Sequence, residues 1–223
     1  SPFKGLQREG AKGEAGGIEE APAAFSCPLA VTLSTSLAGT LDGAALGAAF
    51  EKERNSLQER LGLPFPGIRL WRQSALPENG YEVLVHDVPA SSGTLQPGAH
   101  LVVAPSPELI GRCEIAGPAG GESESFWIGD AEAGPLAKAG EANVLTHEQA
   151  IARHAVAVLH DQAHLFLGIQ EVQWVLERVG VEYPGLVAEA QKVLPLQRIS
   201  EVLRRLLEEQ LPIRNMRAIC ESL

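Results

Sequence analysis

The sequence predicts an α+β chain, with an α/β first part and an all-helical last part. Three observations lead there. Short apolar runs near period two alternate with one amphipathic helix over the first two thirds of the chain. At Thr146 the apolar spacing changes to a helical one and does not revert. The last 78 residues then show repeated Pro starts and Gly stops at helix-length intervals.

Residues 1–25 hold five Gly with mixed charges, and only Phe3, Leu6, Ile18 and Phe25 as large apolar groups, so they read as a flexible linker. Pro28-Leu-Ala-Val-Thr-Leu reads as a strand. Asp42 precedes a helix whose apolar side is Ala45, Leu46, Ala49, Phe50, Leu57 and Leu61, closed by Gly62 where a left-handed cap is needed. Ile68-Arg-Leu-Trp-Arg and Tyr81-Glu-Val-Leu-Val-His alternate at period two around Asn79-Gly80, which predicts a β-hairpin, with a longer loop through Pro77-Glu78 as an equal reading. Residues 91–98 carry turn chemistry, and His100-Leu-Val-Val-Ala reads as a strand. The stretch 105–125, rich in Pro, Gly, Ser and Glu, is a small excursion from the first part. Phe126-Trp-Ile and Ala142-Asn-Val-Leu resume strand character around a short helix at 130–139. Thr146 with Gln149 forms a capping box that opens a helix running to Leu167, with Ile151, Ala155, Val158, Leu159 and Leu165 near one face and a stop at Gly168. Four more helices follow, at 169–179 capped by Gly180, at 184–193, at 195–209 and from Pro212 onward.

The 223 residues are 45% apolar, 5% aromatic and 21% charged, which excludes a wholly disordered chain. No stretch approaches the roughly 20 apolar residues of a bilayer helix, so the chain as given is expected to be soluble and not to insert in a membrane. Eighteen basic against 28 acidic residues give a net charge of -10, which repels nucleic acid and anionic lipid. Cys27, Cys113 and Cys220 form no CxxC pair, and such sparse, odd usage suits a reducing cytosol with unreactive thiols.

The most catalytic-looking string is His160-Asp-Gln-Ala-His164, two histidines at i and i+4 with an acid between them, a spacing that can hold zinc. His147 and His154 lie upstream, but six residues turn His154 roughly 240° from His160, so the pair lacks a third ligand. Surface histidines beside Arg153 are the favoured reading, and no metal is expected. Ser34, Ser36, Ser91, Ser92 and Ser106 occupy turns without a nucleophile elbow, and no phosphate-cradling glycine loop occurs. No catalytic residue, cofactor or enzymatic activity is therefore expected. Arg198, Arg204, Arg205, Arg214 and Arg217 face only Glu201, Glu208 and Glu209 nearby, a local positive excess suited to a protein interface because guanidinium is a rigid donor fork. The alternative is a helix-turn-helix DNA-binding module attached to an α/β sensor domain, with Pro212–Leu223 as recognition helix and Arg214, Asn215 and Arg217 toward the groove.

Gly168-Ile-Gln-Glu-Val-Gln-Trp-Val-Leu-Glu-Arg-Val, Tyr183-Pro-Gly-Leu-Val and the run from Leu194-Pro-Leu-Gln-Arg-Ile-Ser-Glu to Leu211-Pro-Ile-Arg-Asn-Met-Arg-Ala-Ile closely resemble the cytosolic part of the type III secretion export gate, the flagellar/Hr/invasion protein export pore family. Weaker similarity covers Leu61-Gly-Leu-Pro-Phe-Pro-Gly-Ile-Arg, Asn79-Gly-Tyr, Leu95-Gln-Pro-Gly and Phe126-Trp-Ile. The resemblance implies a linker at 1–25, a first α/β subdomain at 26–97 plus 126–145, a small inserted β-rich second subdomain at 98–125, and an all-helical third subdomain at 146–223. It further implies that the family's transmembrane part and fourth subdomain lie outside this chain. Where flagellar members carry Asp-Pro-x-Phe-Gly-Leu-Pro-Ala, this chain has Gly117-Pro-Ala-Gly-Gly-Glu-Ser-Glu-Ser125, so the flagellar docking residues do not transfer and the injectisome branch is favoured. The implied function is that of a non-enzymatic ring subunit, usually one of nine, at the cytoplasmic face of the bacterial inner membrane. Its implied partners are chaperone-effector complexes, a gatekeeper protein and the ATPase stalk protein, with no nucleic acid. The five arginines would serve contact between subunits.

Overall fold

The computed structural model describes residues 18–20, 27–103, 115–118, 124–139 and 143–223. The chain forms two compact units. The first comprises Ser1–Glu53 with Pro66–Val158, and the second Arg54–Phe65 with Leu159–Leu223.

The first unit is built on a five-stranded sheet of β1 (Glu19–Glu20), β2 (Leu29–Leu33), β3 (Arg69–Arg72), β4 (Gly80–Val85) and β5 (Val88–Thr94), in the order β1-β3-β2-β4-β5. β2 lies parallel to β3 and antiparallel to β4. Every residue of β2 is buried, as expected of a central strand covered on both faces. A parallel neighbour requires a crossover, supplied by α1 (Thr35–Thr40) and α2 (Gly43–Leu61). Ser34 caps α1 through Leu37 N, and Asp42 Oδ1 takes the amides of Ala44 and Ala45 at 2.9 and 3.2 Å ahead of α2. Leu46 and Phe50 of α2 are fully buried, while Ala45 is exposed.

The hairpin lies elsewhere than the sequence predicts. β3 and β4 flank β2 and do not pair, so Asn79-Gly80 belongs to a wider connection, with Asn79 at φ 58°. The hairpin is β4 to β5 through His86 and Asp87, both at positive φ (49° and 64°) as a two-residue type I′ turn demands. Residues 91–94, expected as turn, are therefore strand. The expected linker at 1–25 falls mostly outside the described residues, yet Glu19 and Glu20 within it pair with Trp71 and Arg72.

A second sheet, antiparallel throughout, has the order β7 (Ile115–Ala116), β8 (Ser125–Gly129), β6 (Ala99–Val103) and β9 (Asn143–Leu145). α3 (Asp130–Ala139) supplies Ala133 and Leu136 to a small core with Val102, Ile128 and Val144. The expected strands at 126–128 and 143–145 both pair with β6. The apolar run expected around Ile110 lies outside the described residues.

α4 (His147–Asp161) opens with the expected capping box: Gln149 Oε1 accepts Thr146 N at 3.0 Å and Thr146 Oγ1 accepts Gln149 N at 3.4 Å. The division between the two units falls inside this helix, at Val158/Leu159. His154, on α4, is buried, with Nδ1 2.8 Å from Tyr81 Oη on β4 and Nε2 2.8 Å from Ser91 Oγ on β5.

In the second unit the helices run past or stop short of several sequence signals. α4 ends at Asp161, and Ala163–Phe166 form a 3-10 turn. α5 (Ile169–Glu182) continues through Gly180, which keeps helical backbone, and its first amide, Gly168 N, is taken by Glu171 Oε2 at 2.9 Å. α6 (Pro184–Val193) starts at its proline as expected. α7 (Leu196–Glu208) buries Ile199, Leu203 and Leu207 at i, i+4 and i+8, and Gln210 at φ 61° turns the chain out of it. Pro212 opens no helix. Ile213 is buried in irregular backbone with its N–H on Leu61 O at 3.0 Å, and α8 (Met216–Ser222) starts only after Asn215, whose Oδ1 caps Ala218 N at 3.2 Å.

His154 generates a pH prediction. Burial lowers its pKa from 6.5 to about 4, so between those pH values the unfolded chain binds the proton that the folded chain refuses. Stability is full above pH 6.5 and falls as pH drops toward 4, by about 3 kcal/mol. Urea midpoints read through tryptophan fluorescence should fall accordingly between pH 7 and 4.5, and His154→Gln should flatten that part of the profile.

Candidate functional site

The arginines singled out by sequence all lie in the second unit, and the structure sorts them. On the solvent face of α7, Arg198 Nη1 meets Glu201 Oε2 at 2.7 Å and Arg205 Nε meets Glu209 Oε1 at 3.4 Å. Both guanidinium groups remain 67% and 81% exposed, so each pair is screened and worth a few tenths of a kcal/mol. Arg204 does something different. Its Nε donates to Leu167 O at 2.8 Å, satisfying the carbonyl that follows the 3-10 turn. Arg217 Nε meets Glu221 Oε1 at 2.8 Å and its guanidinium lies 4.9 Å from the Tyr183 ring centre, linking α8 to the turn between α5 and α6. The hydrogen bond to Glu221 raises the Arg217 pKa. Arg214 is exposed, but its backbone crosses Gly62 so closely that a Cβ there would come within 2.7 Å of Arg214 Cα. Gly62 also sits at φ 80°, so glycine is required there twice over.

The helix-turn-helix alternative fails on this geometry. A recognition helix from Pro212 would carry Arg214 and Asn215, whereas both precede α8, and the Asn215 side chain is consumed in capping it. The histidine pair is also separated: His160 lies in the last turn of α4 with Nδ1 3.2 Å from Asp161 Oδ1, while His164 sits beyond the helix end in the 3-10 turn. They do not share a helix face. Among the described residues no three of His, Cys, Asp and Glu are grouped to hold a metal. Burial raises the thiol pKa of both Cys27 and Cys220. Cys113 lies outside the described residues.

Two features escaped sequence reading. One is the buried His154, whose spacing in the sequence shows only that it turns away from His160. Its position among Ala150, Ile151, Ala155 and Val158, all buried, was the available signal. The other is a shallow open groove of about 380 Å³ between α5 and α6, lined by Gln173, Leu176 and Gly180 on one side and Pro184, Val187 and Gln191 on the other. Among the described residues no helix is long and apolar enough to cross a membrane.

The FHIPEP family model matches residues 7–223. The chain is 50% identical over 220 residues to the hypersensitivity response secretion protein HrcV of Ralstonia nicotianae, covering 98% of this chain and 31% of that protein. It thus spans about a third of that curated relative. The structure of Chlamydia pneumoniae CdsV in complex with CdsO is similar with a TM-score of 0.76 at 26% identity, over 90% of this chain and 60% of that one. The nonameric EscV cytosolic domain from a type III secretion system shares the fold with a TM-score of 0.70 at 23% identity, over 91% of this chain and 59% of that one.

The sorting of the arginines is testable by stability alone. Arg204→Ala leaves the Leu167 carbonyl without its charged donor and should cost about 2 kcal/mol. Arg205→Ala should cost under about 0.5 kcal/mol. Urea denaturation of the two variants side by side measures both. Added zinc should leave the melting temperature of the parent chain unchanged, with or without His164→Ala.

Proposed function

This chain belongs to the FHIPEP family of type III secretion export-apparatus proteins, and from that membership we propose that it is the ring-forming cytosolic part of an injectisome export gate. It receives chaperone-bound substrates, a gatekeeper and the ATPase stalk protein at the inner membrane and passes unfolded substrate toward the export pore. The observation that carries this reading is the 50% identity to a hypersensitivity response secretion protein along 98% of the chain. CdsV, 60% of whose chain this one covers, has been solved in complex with CdsO, which supports a protein-docking role for the family. The function assigned is one of surfaces and assembly, with no bond made or broken by this chain.

Charge supports a head-to-tail arrangement of copies. The first unit carries nine basic and 18 acidic residues, the second nine and ten. The acidic excess therefore sits almost wholly in the first unit. A contact that sets the arginine face of α7 against a neighbour's first unit is steered and oriented by that difference, and closes into a ring when its rotation fits. The exposed Arg214 can join it, and Arg198 and Arg205 carry it from α7, because Arg204 is held on the Leu167 carbonyl and Arg217 on both Glu221 and Tyr183. The salt links of Arg198 and Arg205 to Glu201 and Glu209 are weak enough to exchange for a partner's carboxylates.

The assembly reading is tested by sedimentation over a concentration series. The parent chain should be monomeric at micromolar concentration and associate as it is concentrated, with ring-shaped particles in electron micrographs. Arg198→Glu with Arg205→Glu should weaken association at least tenfold while leaving the melting temperature within a few degrees, since exposed charge changes cost little. Unchanged association in the double variant would remove these arginines from the interface.

A further inference from the structure

We propose that the free edge of β5 takes up an extended, positively charged polypeptide segment as an additional strand of the first sheet. The identity of that segment as unfolded export substrate rests on the reading above, while the binding itself rests on the geometry of the edge. β5 ends the order β1-β3-β2-β4-β5, and among the described residues it pairs with β4 alone. In an antiparallel ladder alternate residues turn their N–H and C=O away from the partner, so a terminal strand offers a row of main-chain donors and acceptors.

Protein edges are ordinarily guarded by lysine, proline or a bulge. Here Pro89 and the register shift between Val83 and Leu84 guard only the start of β5. Ser91, Ser92, Gly93 and Thr94 carry neither charge nor proline and no bulky side chain. Ser91 bonds His154 and Gly93 lies under the Tyr81 ring, which holds this half of the strand flat against the sheet. Ser92 and Thr94, on the other face, are exposed. The opposite edge of the same sheet already accepts a short strand from outside the central segment, since β1 pairs with β3.

Charge selects the occupant. From Gln73 to Gly111 the sequence contains no Lys or Arg. Glu82 stands opposite Ser92, Asp87 occupies the turn that begins β5, and Glu78 precedes Asn79, whose carbonyl accepts Leu95 N at the far end of the strand. Both ends of the edge are therefore acidic, which favours a segment bearing Lys or Arg and repels an acidic one. Main-chain pairing reads no particular side chain, so one edge serves many unrelated sequences.

The test uses the whole chain with a synthetic peptide, Thr-Lys-Val-Lys-Thr-Val-Lys, and the same peptide N-methylated at every internal residue, so that both of its edges are blocked, followed by amide hydrogen exchange. The parent peptide should slow exchange across 90–94 at least fivefold. The N-methylated peptide, which keeps every charge but cannot pair, should not. Ser92→Lys, placed opposite Glu82 where it is tolerated in the fold, should weaken peptide binding at least tenfold with an unchanged melting temperature. Equal binding of both peptides, or no change in β5 exchange at saturating peptide, overturns strand addition. Because peptide exchange is read on the dilute chain and ring assembly by sedimentation, failure of one leaves the other standing.

Discussion

A helix that is buried on nearly every side and yet carries a histidine constrains whatever it packs against. Each ring nitrogen of His154 must find a partner, because an unpaired polar group in such surroundings costs more than the bond it forgoes. The two partners are Tyr81 of β4 and Ser91 of β5, so one imidazole fixes the hairpin and the helix at once. Tyr81 pairs with Gly93 across the ladder, and a Cβ at Gly93 would fall 2.5 Å from the tyrosine ring. A slip of one residue would turn Tyr81 and Ser91 to the opposite face and leave the histidine unsatisfied. The register of β4 and β5, and with it the open edge of β5, follows from this arrangement.

The second unit is organised by backbone groups rather than by a buried side chain. The strong apolar stripe of α7 is laid down by Ile199, Leu203 and Leu207, and Arg204 from its flank takes the Leu167 carbonyl. The chain then leaves α7 through Gln210, passes close over Gly62 without regular structure, and re-enters helix only when Asn215 caps α8. Four of the outer cations are answered by carboxylates three or four residues away, while the segment from Arg198 to Arg217 keeps a small positive excess. Such a surface orients a partner and sets the salt dependence of its arrival, while the tightness of a complex comes from what is desolvated at the contact.

Much of the fold was legible in the chain. Strand β2, the helix from Gly43 capped by Asp42 and ended at Gly62, the capping box at Thr146, and the start of α6 at Pro184 each depend on residues a few positions apart, whose propensities and hydrogen bonds act locally. The arginine cluster and the resemblance carried by Gly168 to Ile219 were likewise visible as linear patterns.

What the sequence determined by itself was therefore the class of each segment, the acidic balance of the chain and its likeness to an export family. Tertiary structure alone decided which strands pair, where α4 stops, and what each arginine of the second unit's last helices touches. Asn79-Gly80 supplied its positive φ, but β2 took the place between β3 and β4, because a parallel neighbour reached through α2 competes for the same edge. Gly180 offered a helix stop that went unused, and Pro212 a start that did not open, because Ile213 gained burial and a bond to Leu61 O instead. His154 looked like its neighbours in the sequence and differs from them only through Tyr81 and Ser91, residues more than sixty positions away. Local signals say what a segment can become, and contacts between distant segments select among those options because burial and hydrogen-bond satisfaction outweigh intrinsic preference.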